Sequence, residues 1–599
     1  MSNTQPLRQN APTEATWNLV DLFPTAEAWE AAFAAADKKI PKLKAYQGTL
    51  GASADALLKW MRELERMAPA ISQIAAYASL RSDEDMGNQA NGALNSRAQA
   101  LAARFGAAVS FATPEILSIK PAALKKFLAE KPALQKYAHY FDNIQRQKPH
   151  VRSAEVEELL AAAAEPFGMG RLTYNALTDA DISYGAAKGK GKTQAQVGRG
   201  NIGELLGSPD RKLRQNAWWA YSDGFLGMKN TFAGIFAAKV KATVWAARAR
   251  GFQTSLDYAL SGPNVPTEVY HNVIAACNRN LPIWHRYWDI KRRILKLDKL
   301  EEFDIFAPIG QPPQVGYPQA VEWICAGLRP LGDAYVRVAK DGMTAARWVD
   351  SFPNTGKRNG AYSHGVFGVH PYILMSYHDE GLFGMSTLAH EMGHAMHSYY
   401  SNATQPFVLA RYTLFAAEVA SNFNQAMVRA HLLAQNPDRN FQIAIIEEAM
   451  SNFHRYLFLM PILSQFELWM HTQVEQGKAL TANGMNAALA ELFTCGYGPA
   501  MLVDEARAGI TWAQFGHFFS DFYVYQYASG IAAANALADI VLAEGQPAVQ
   551  KYLRFLHSGG ALYPLEALKL AGIDMSTPAP MDRAFKVMEG FVDRLEKLA

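Results

Sequence analysis

The segment His390, Glu391, Met392, Gly393, His394 constrains this chain more than any other. It reads H-E-x-x-H, and its chemistry requires a helix. There, residues four apart share one face, about 6 Å apart along the axis. Two imidazoles at that spacing can hold one metal ion. Glu391 stands about 100° round the helix, beside the metal position, where a carboxylate can take a proton from water. Zinc hydrolases use this arrangement. The competing reading is a surface helix with two solvated histidines. Leu388, Ala389, Met392, Ala395 and Met396 argue against it, because so apolar a helix is buried and buried polar groups need partners. Ser386 or Thr387, just after Gly384, is predicted to cap the helix start.

Two histidines leave a catalytic zinc site one protein ligand short. His397 shares the face of His394, but a straight helix carries it about 10 Å along the axis from His390, too far for the same tetrahedron. It is expected to pack or to support a ligand from behind. Glu418 is the better candidate. It lies among Phe415, Ala416, Ala417, Val419 and Ala420, and a second helix running back along the first can return it to the metal. A carboxylate in such company is costly to bury unless it is paired or bound to metal. The alternative is an ordinary glutamate on a solvated face.

The rest of the chain sets bounds. With 599 residues it can build a large core and two or more lobes. Hydrophobic residues make up 49% and charged residues 19%, as in folded soluble proteins. A net charge of +3 is too small to suggest nucleic acid as a main partner. No apolar run approaches the roughly 18 residues that span a bilayer, and the polar first residues lack a signal peptide's apolar stretch. Cys277, Cys325 and Cys495 are far apart and odd in number, so they read as packed thiols in a reducing compartment. A cytoplasmic location follows as the simplest expectation.

Helical apolar spacing runs through Ala26 to Asp37, Ala54 to Met67, Asn88 to Phe105 and Ala154 to Ala164. Strand-like alternation is scarce. One hairpin is predicted from Asp181 to Tyr184 paired with Thr193 to Val197, across a Gly- and Lys-rich turn. That turn is not a phosphate-binding loop: its spacing is one residue too long, and it joins two strands rather than a strand and a helix. A second extended region is expected from Gly360 to Tyr377. A boundary near residue 200 divides an N-terminal helical region, 1–200, from a larger part, 201–599, that holds the metal motif.

H-E-M-G-H-A-M-H followed by E-V-A-S-N-F-N-Q resembles the thimet-oligopeptidase-like metallopeptidases, in particular their oligoendopeptidase F branch. Trp17, Asn18 and Leu19 through Asp21, Leu22, Phe23 and Pro24 look like the start of that branch. Tyr77 to Asp85, Asn230 to Gly251, Gly360 to Tyr362 and Pro371 to Leu374 are similar to further segments, and Phe522 to Gly530 to its C-terminal signature. The resemblance covers nearly the whole chain.

It implies a mainly α, two-lobed helical body with a deep substrate channel, a zincin-type H-E-x-x-H helix and a small β element near the site. Residues 1–200 would form part of the channel wall. It implies one Zn2+ per chain on His390, His394 and Glu418. His517, Tyr523 and Tyr527 match residues that bind substrate and stabilise negative charge on the attacked oxygen. Tyr525 keeps a core reading. Gln425 departs from the pattern, which often has a second Glu there. An amide oxygen can still accept from a ligand imidazole, but without charge, so weaker metal binding is expected. The segment His378 to Gly384 is also less typical.

The expected activity is zinc-dependent endopeptidase hydrolysis of short unfolded peptides, with Glu391 as the base. An exopeptidase of the dipeptidyl carboxypeptidase or metallocarboxypeptidase type would need a group for the free C-terminal carboxylate, for which Arg411 and Tyr412 are candidates. A silent, zinc-dependent peptide binder is the remaining alternative.

Overall fold

Long amphipathic stretches, started by short polar caps, build most of the structure. The computed structural model describes residues 5–599. Ser53 accepts from the Ala56 N–H at 3.1 Å and opens the 31-residue helix Ala54–Glu84. Leu57, Trp60, Met61, Ile71 and Ile74 lie on its buried side. Asn88 caps Gln89–Val109 through the N–H groups of Ala90 and Asn91. All four predicted helices are present. Two run well past their predicted ends, Ala54–Glu84 and Ala154–Ala176, because each continues beyond a proline, Pro69 and Pro166. An interior proline removes one helical hydrogen bond, a cost these long helices carry.

The fold is mainly α. By packing, the chain forms two units, each assembled from three separate stretches. The first comprises Met1–Pro149, Gln314–Leu432 and Ile540–Gly572; the second comprises His150–Pro313, Leu433–Asp539 and Ile573–Ala599. The stretch 201–599 therefore contributes to both.

In the first unit, Trp29, Leu43, Trp60, Met61, Leu101, Leu134 and Phe141 form a helical core. A small mixed sheet lies elsewhere in this unit. Strands β3 (Val349–Asp350), β4 (Tyr362–His364) and β5 (Tyr372–Leu374) have the order β3-β5-β4, with β3 parallel and β4 antiparallel to β5. The predicted extended region holds two of these strands. The buried Asp350 on β3 is neutralised by Lys357 Nζ at 2.6 Å and by the Arg8 guanidinium, Nη1 at 2.8 Å. A buried charge without such partners would be expensive.

The second unit holds the hairpin of β1 (Ala186–Lys188) and β2 (Gln194–Gln196), with Ala186 opposite Gln196. Its first strand begins later than predicted. Residues Leu177–Asp181 form a π-helical turn, and Gly185 takes φ +74°, so the chain straightens only after it. The turn between the strands is tied down by Asp210, whose Oδ2 accepts from the Lys190 N–H at 2.6 Å. The three cysteines form no disulfide; Cys277 is buried, whereas Cys495 is exposed and so not packed. Among the described residues no helix is long and apolar enough to cross a membrane.

Candidate metal and catalytic site

The H-E-x-x-H residues lie in the helix Phe383–Thr404 of the first unit. β4 and β5 pack against this helix, so the small sheet is its floor. The helix starts a turn earlier than predicted, after Leu382 and without a side-chain cap. Ser386 is therefore interior. Gly384 permits the early start: a Cβ there would meet the His378 carbonyl oxygen at 2.3 Å.

The second helix, Leu414–Gln435, returns along the first at very close range. Gly393, the second variable position of the motif, makes that approach possible. A Cβ on it would stand 2.4 Å from the Ala420 oxygen and 2.6 Å from Ser421 Cα. The missing side chain lets the neighbouring backbone sit against the motif, which brings Glu418 over the two histidines.

His390 Nε2 lies 3.5 Å from Glu418 Oε2, and His394 Nε2 lies 4.0 Å from Glu418 Oε1. The two imidazoles stand 4.9 Å apart, nearly perpendicular at 84°. One donor atom from each of the three residues lies within 4.8 Å of the other two. Tetrahedral zinc with bonds near 2.1 Å spaces its donors by about 3.4 Å, so the three atoms need only a small inward shift. Two nitrogens and one carboxylate oxygen are also a suitable donor set for catalytic zinc.

The imidazoles are prepared for ligation. His390 Nδ1 lies 3.0 Å from Gln425 Oε1, and Gln425 Nε2 donates to Ser386 Oγ at 2.7 Å. With the amide oxygen facing the ring, Nδ1 carries the proton and Nε2 keeps its lone pair toward Glu418. Gln425 thus accepts as an amide in place of a carboxylate. Burial pushes His394 down to about 4, so it stays neutral near pH 7. Glu391 is only 6% exposed. Burial, opposed by His390 and reinforced by Glu418, lifts it to about 7.

His397 stays outside the donor set. It is fully buried, stacked 3.6 Å from the Tyr412 ring at 3° and 5.0 Å from Phe555, and neither ring nitrogen has a hydrogen-bond partner among the described residues. Burial pushes it down to about 3, so it packs as a neutral ring. The Tyr412 phenol is shared between Ser398 Oγ at 2.9 Å and the His394 carbonyl at 3.3 Å.

His517, Tyr523 and Tyr527 form a group in the second unit. The Tyr523 hydroxyl donates to that of Tyr527 at 2.8 Å. The His517 ring lies 6.3 Å from Tyr523 and 6.1 Å from Tyr527. Tyr525 is buried against Tyr270, at 5.0 Å.

Sequence reasoning missed what holds Tyr523. Phe522, just before it, has φ +51° and is one of four non-glycine residues with positive φ among those described. Its N–H donates to the buried Glu467 Oε1 at 2.7 Å, and the His471 ring packs 4.6 Å from its own. Asp521 is fixed by Lys239 Nζ at 2.5 Å and Thr243 Oγ1 at 2.9 Å. The available signal is Glu467 and His471 at i, i+4, with Phe466, Leu468, Trp469 and Met470 around them. A strained residue held by a buried acid beside a candidate catalytic group is a recurrent feature of functional sites.

A helical fold with a His-His-Glu donor set and a buried glutamate beside it has the makings of a metallopeptidase, and comparison with known proteins agrees. The model of peptidase family M3 matches residues 204–587, and that of the oligopeptidase F N-terminal region matches 115–184. The chain belongs to peptidase family M3. It is 36% identical to oligopeptidase PepF of Bacillus subtilis over all of this chain and 89% of that protein. It is 32% identical to the group B oligopeptidase PepB of Streptococcus agalactiae over 99% and 98% of the two chains. A crystal structure of oligoendopeptidase F from Enterococcus faecium matches with a TM-score of 0.74 at 28% identity, covering 96% and 99%.

Proposed function

We propose that this protein is a zinc-dependent endopeptidase that hydrolyses internal bonds of short, unfolded peptides in the cytoplasm. One observation carries the proposal: a carboxylate and two imidazoles converge on one point, with Glu391 buried beside them. His390, His394 and Glu418 would hold one Zn2+ per chain. When bound, zinc supplies Lewis acidity to the scissile carbonyl and makes water more acidic.

The protein groups do the rest. Glu391 takes the proton of the attacking water and passes it to the leaving amine. Gln425 keeps His390 in the tautomer that leaves Nε2 available. Tyr523, with Tyr527 or His517, donates to the carbonyl oxygen as it becomes negative; the Tyr523–Tyr527 hydrogen bond supports a paired role. The chemistry is assigned to 201–599 and part of the substrate-channel wall to 1–200; that the two family matches, 115–184 and 204–587, lie on either side of residue 200 supports the boundary.

Mass spectrometry of a defined peptide mixture, before and after incubation with and without chelator, tests the proposal. Internal cleavages that vanish with chelator and return with zinc are expected. Cleavage confined to residues released from one terminus, or unaffected by chelator, would overturn it.

A further inference from the structure

We propose that Arg455 and Arg171 form a subsite for a carboxylate of the peptide substrate, beside Tyr527 and His517. This rests on the reading of those two residues as substrate-facing. All of the groups involved belong to the second unit.

Helices Arg439–Phe453 and Met460–Glu475 are joined by a π-helical segment, His454–Leu459. Such segments are rare and occur often at functional sites. This one presents Arg455 and Tyr456. The Tyr456 ring stacks on Tyr527, 5.2 Å away at 13°. The exposed Arg455 guanidinium lies 5.8 Å from the centre of the Tyr456 ring. Among the described residues it has no acidic partner.

Arg171, on the helix Ala154–Ala176, reaches the segment between His517 and Tyr523. Its guanidinium lies 5.5 Å over Phe519 and donates to Ser520 Oγ at 3.2 Å. It too is exposed and has no acidic partner among the described residues. Several other arginines of this unit are neutralised: Arg214 by Asp304, Arg250 by Glu157, Arg507 by Asp223, and Arg199 by Asp179 at 2.7 Å. Asp521, next in sequence to the Ser520 that Arg171 reaches, is occupied by Lys239 and Thr243. Burial first, and then the charges of Arg455 and Arg171, push His517 down to about 4. At neutral pH it is an uncharged ring beside two guanidiniums without counter-charges.

A guanidinium fork is shaped to take a carboxylate in two parallel hydrogen bonds. Every unmodified peptide carries one carboxylate at its C-terminus, and others on Asp and Glu. Exposed pairs of this kind contribute modestly and are screened by salt, so the subsite should tune KM by a few fold rather than govern turnover.

The test uses three peptides with one cleavable core: a free C-terminal acid, its neutral amide, and an amide with Glu near the C-terminus. They are assayed with wild type, Arg455→Gln, Arg171→Gln and the double variant. For peptides bearing the recognised carboxylate, each single change should raise KM about fivefold and the double more, with kcat within about twofold. The neutral amide should not respond, and the difference should shrink at high salt. The free-acid and Glu arms show which carboxylate is taken. An acid-to-amide KM ratio that is the same in wild type and the double variant overturns the proposal. Tyr523→Phe, run alongside, should lower kcat on all three peptides, so failure of the oxyanion reading is visible separately.

Discussion

Replacing Gly393 with alanine tests how the site is assembled. The added methyl would sit 2.4 Å from the Ala420 oxygen, 2.6 Å from Ser421 Cα and 2.8 Å from the Ala420 carbonyl carbon. All three are backbone atoms of the second helix, so no side chain can swing aside. Ordinary contact begins near 3.4 Å, so the helices must separate by roughly 0.8–1 Å. Glu418 lies only two residues from the contact and would move with it. Its carboxylate, now 3.5–4.0 Å from the two imidazole nitrogens, would pass beyond the reach of one zinc ion. Overpacking of this kind costs about 1–3 kcal/mol, and a misplacement of 1 Å in a catalytic group costs about a hundredfold in rate. The assay is chelator competition for zinc affinity together with kcat/KM and melting temperature. We expect zinc affinity to fall at least tenfold and kcat/KM about a hundredfold. Gly106→Ala is the control, since a Cβ at that helical position meets nothing within 4 Å; it should be neutral or stabilise by about 0.5–1 kcal/mol. If Gly393→Ala keeps wild-type zinc affinity and activity, close helix approach is not what places Glu418.

Gln425→Glu should tighten zinc binding about tenfold, because a carboxylate facing His390 Nδ1 makes Nε2 more basic and the Ser386 hydroxyl can turn to donate to it. No gain in affinity refutes this. In the metal-free protein Glu391 is raised to about 7, so burial favours its neutral form. The associated stability is fully present below about pH 4.5 and is lost as pH rises through 7. Metal-free Glu391→Gln should therefore gain on wild type by about 3 kcal/mol between pH 4.5 and 8, read from melting temperatures; a difference that does not change with pH contradicts the assignment. Glu467→Leu leaves the Phe522 N–H buried without an acceptor, costing about 1–3 kcal/mol and lowering kcat, whereas Glu467→Gln can still accept and should be milder. Equal stability and kcat for the two variants would show that this hydrogen bond does not hold Tyr523.

The His-His-Glu cluster is legible in the sequence because its logic is local: two histidines four apart on an apolar helix share one face, and Glu418 is a carboxylate among Phe, Ala and Val. The helix start was misjudged: Ser386 has the chemistry of a cap, but its hydroxyl serves Gln425, 39 residues away. Nothing in the pattern marked Gly393, whose role depends on a backbone that arrives later in the chain. The first hairpin strand was misplaced because a π-helical turn ending at Asp181 has no clear sequence signal. The interleaving of the two units was invisible for the same reason: it is decided by packing between distant stretches, not by local composition. The positive φ at Phe522 was hidden too, since an aromatic residue is a poor candidate for the left-handed region until Glu467 is seen holding its N–H.

The most direct test of the account is the activity of Glu391→Gln measured with its zinc content. This change removes the base while leaving His390, His394 and Glu418 in place. The account predicts one zinc per chain, as in wild type, and loss of peptide hydrolysis by at least about a hundredfold. A variant that holds zinc and cleaves peptides as fast as wild type would contradict it.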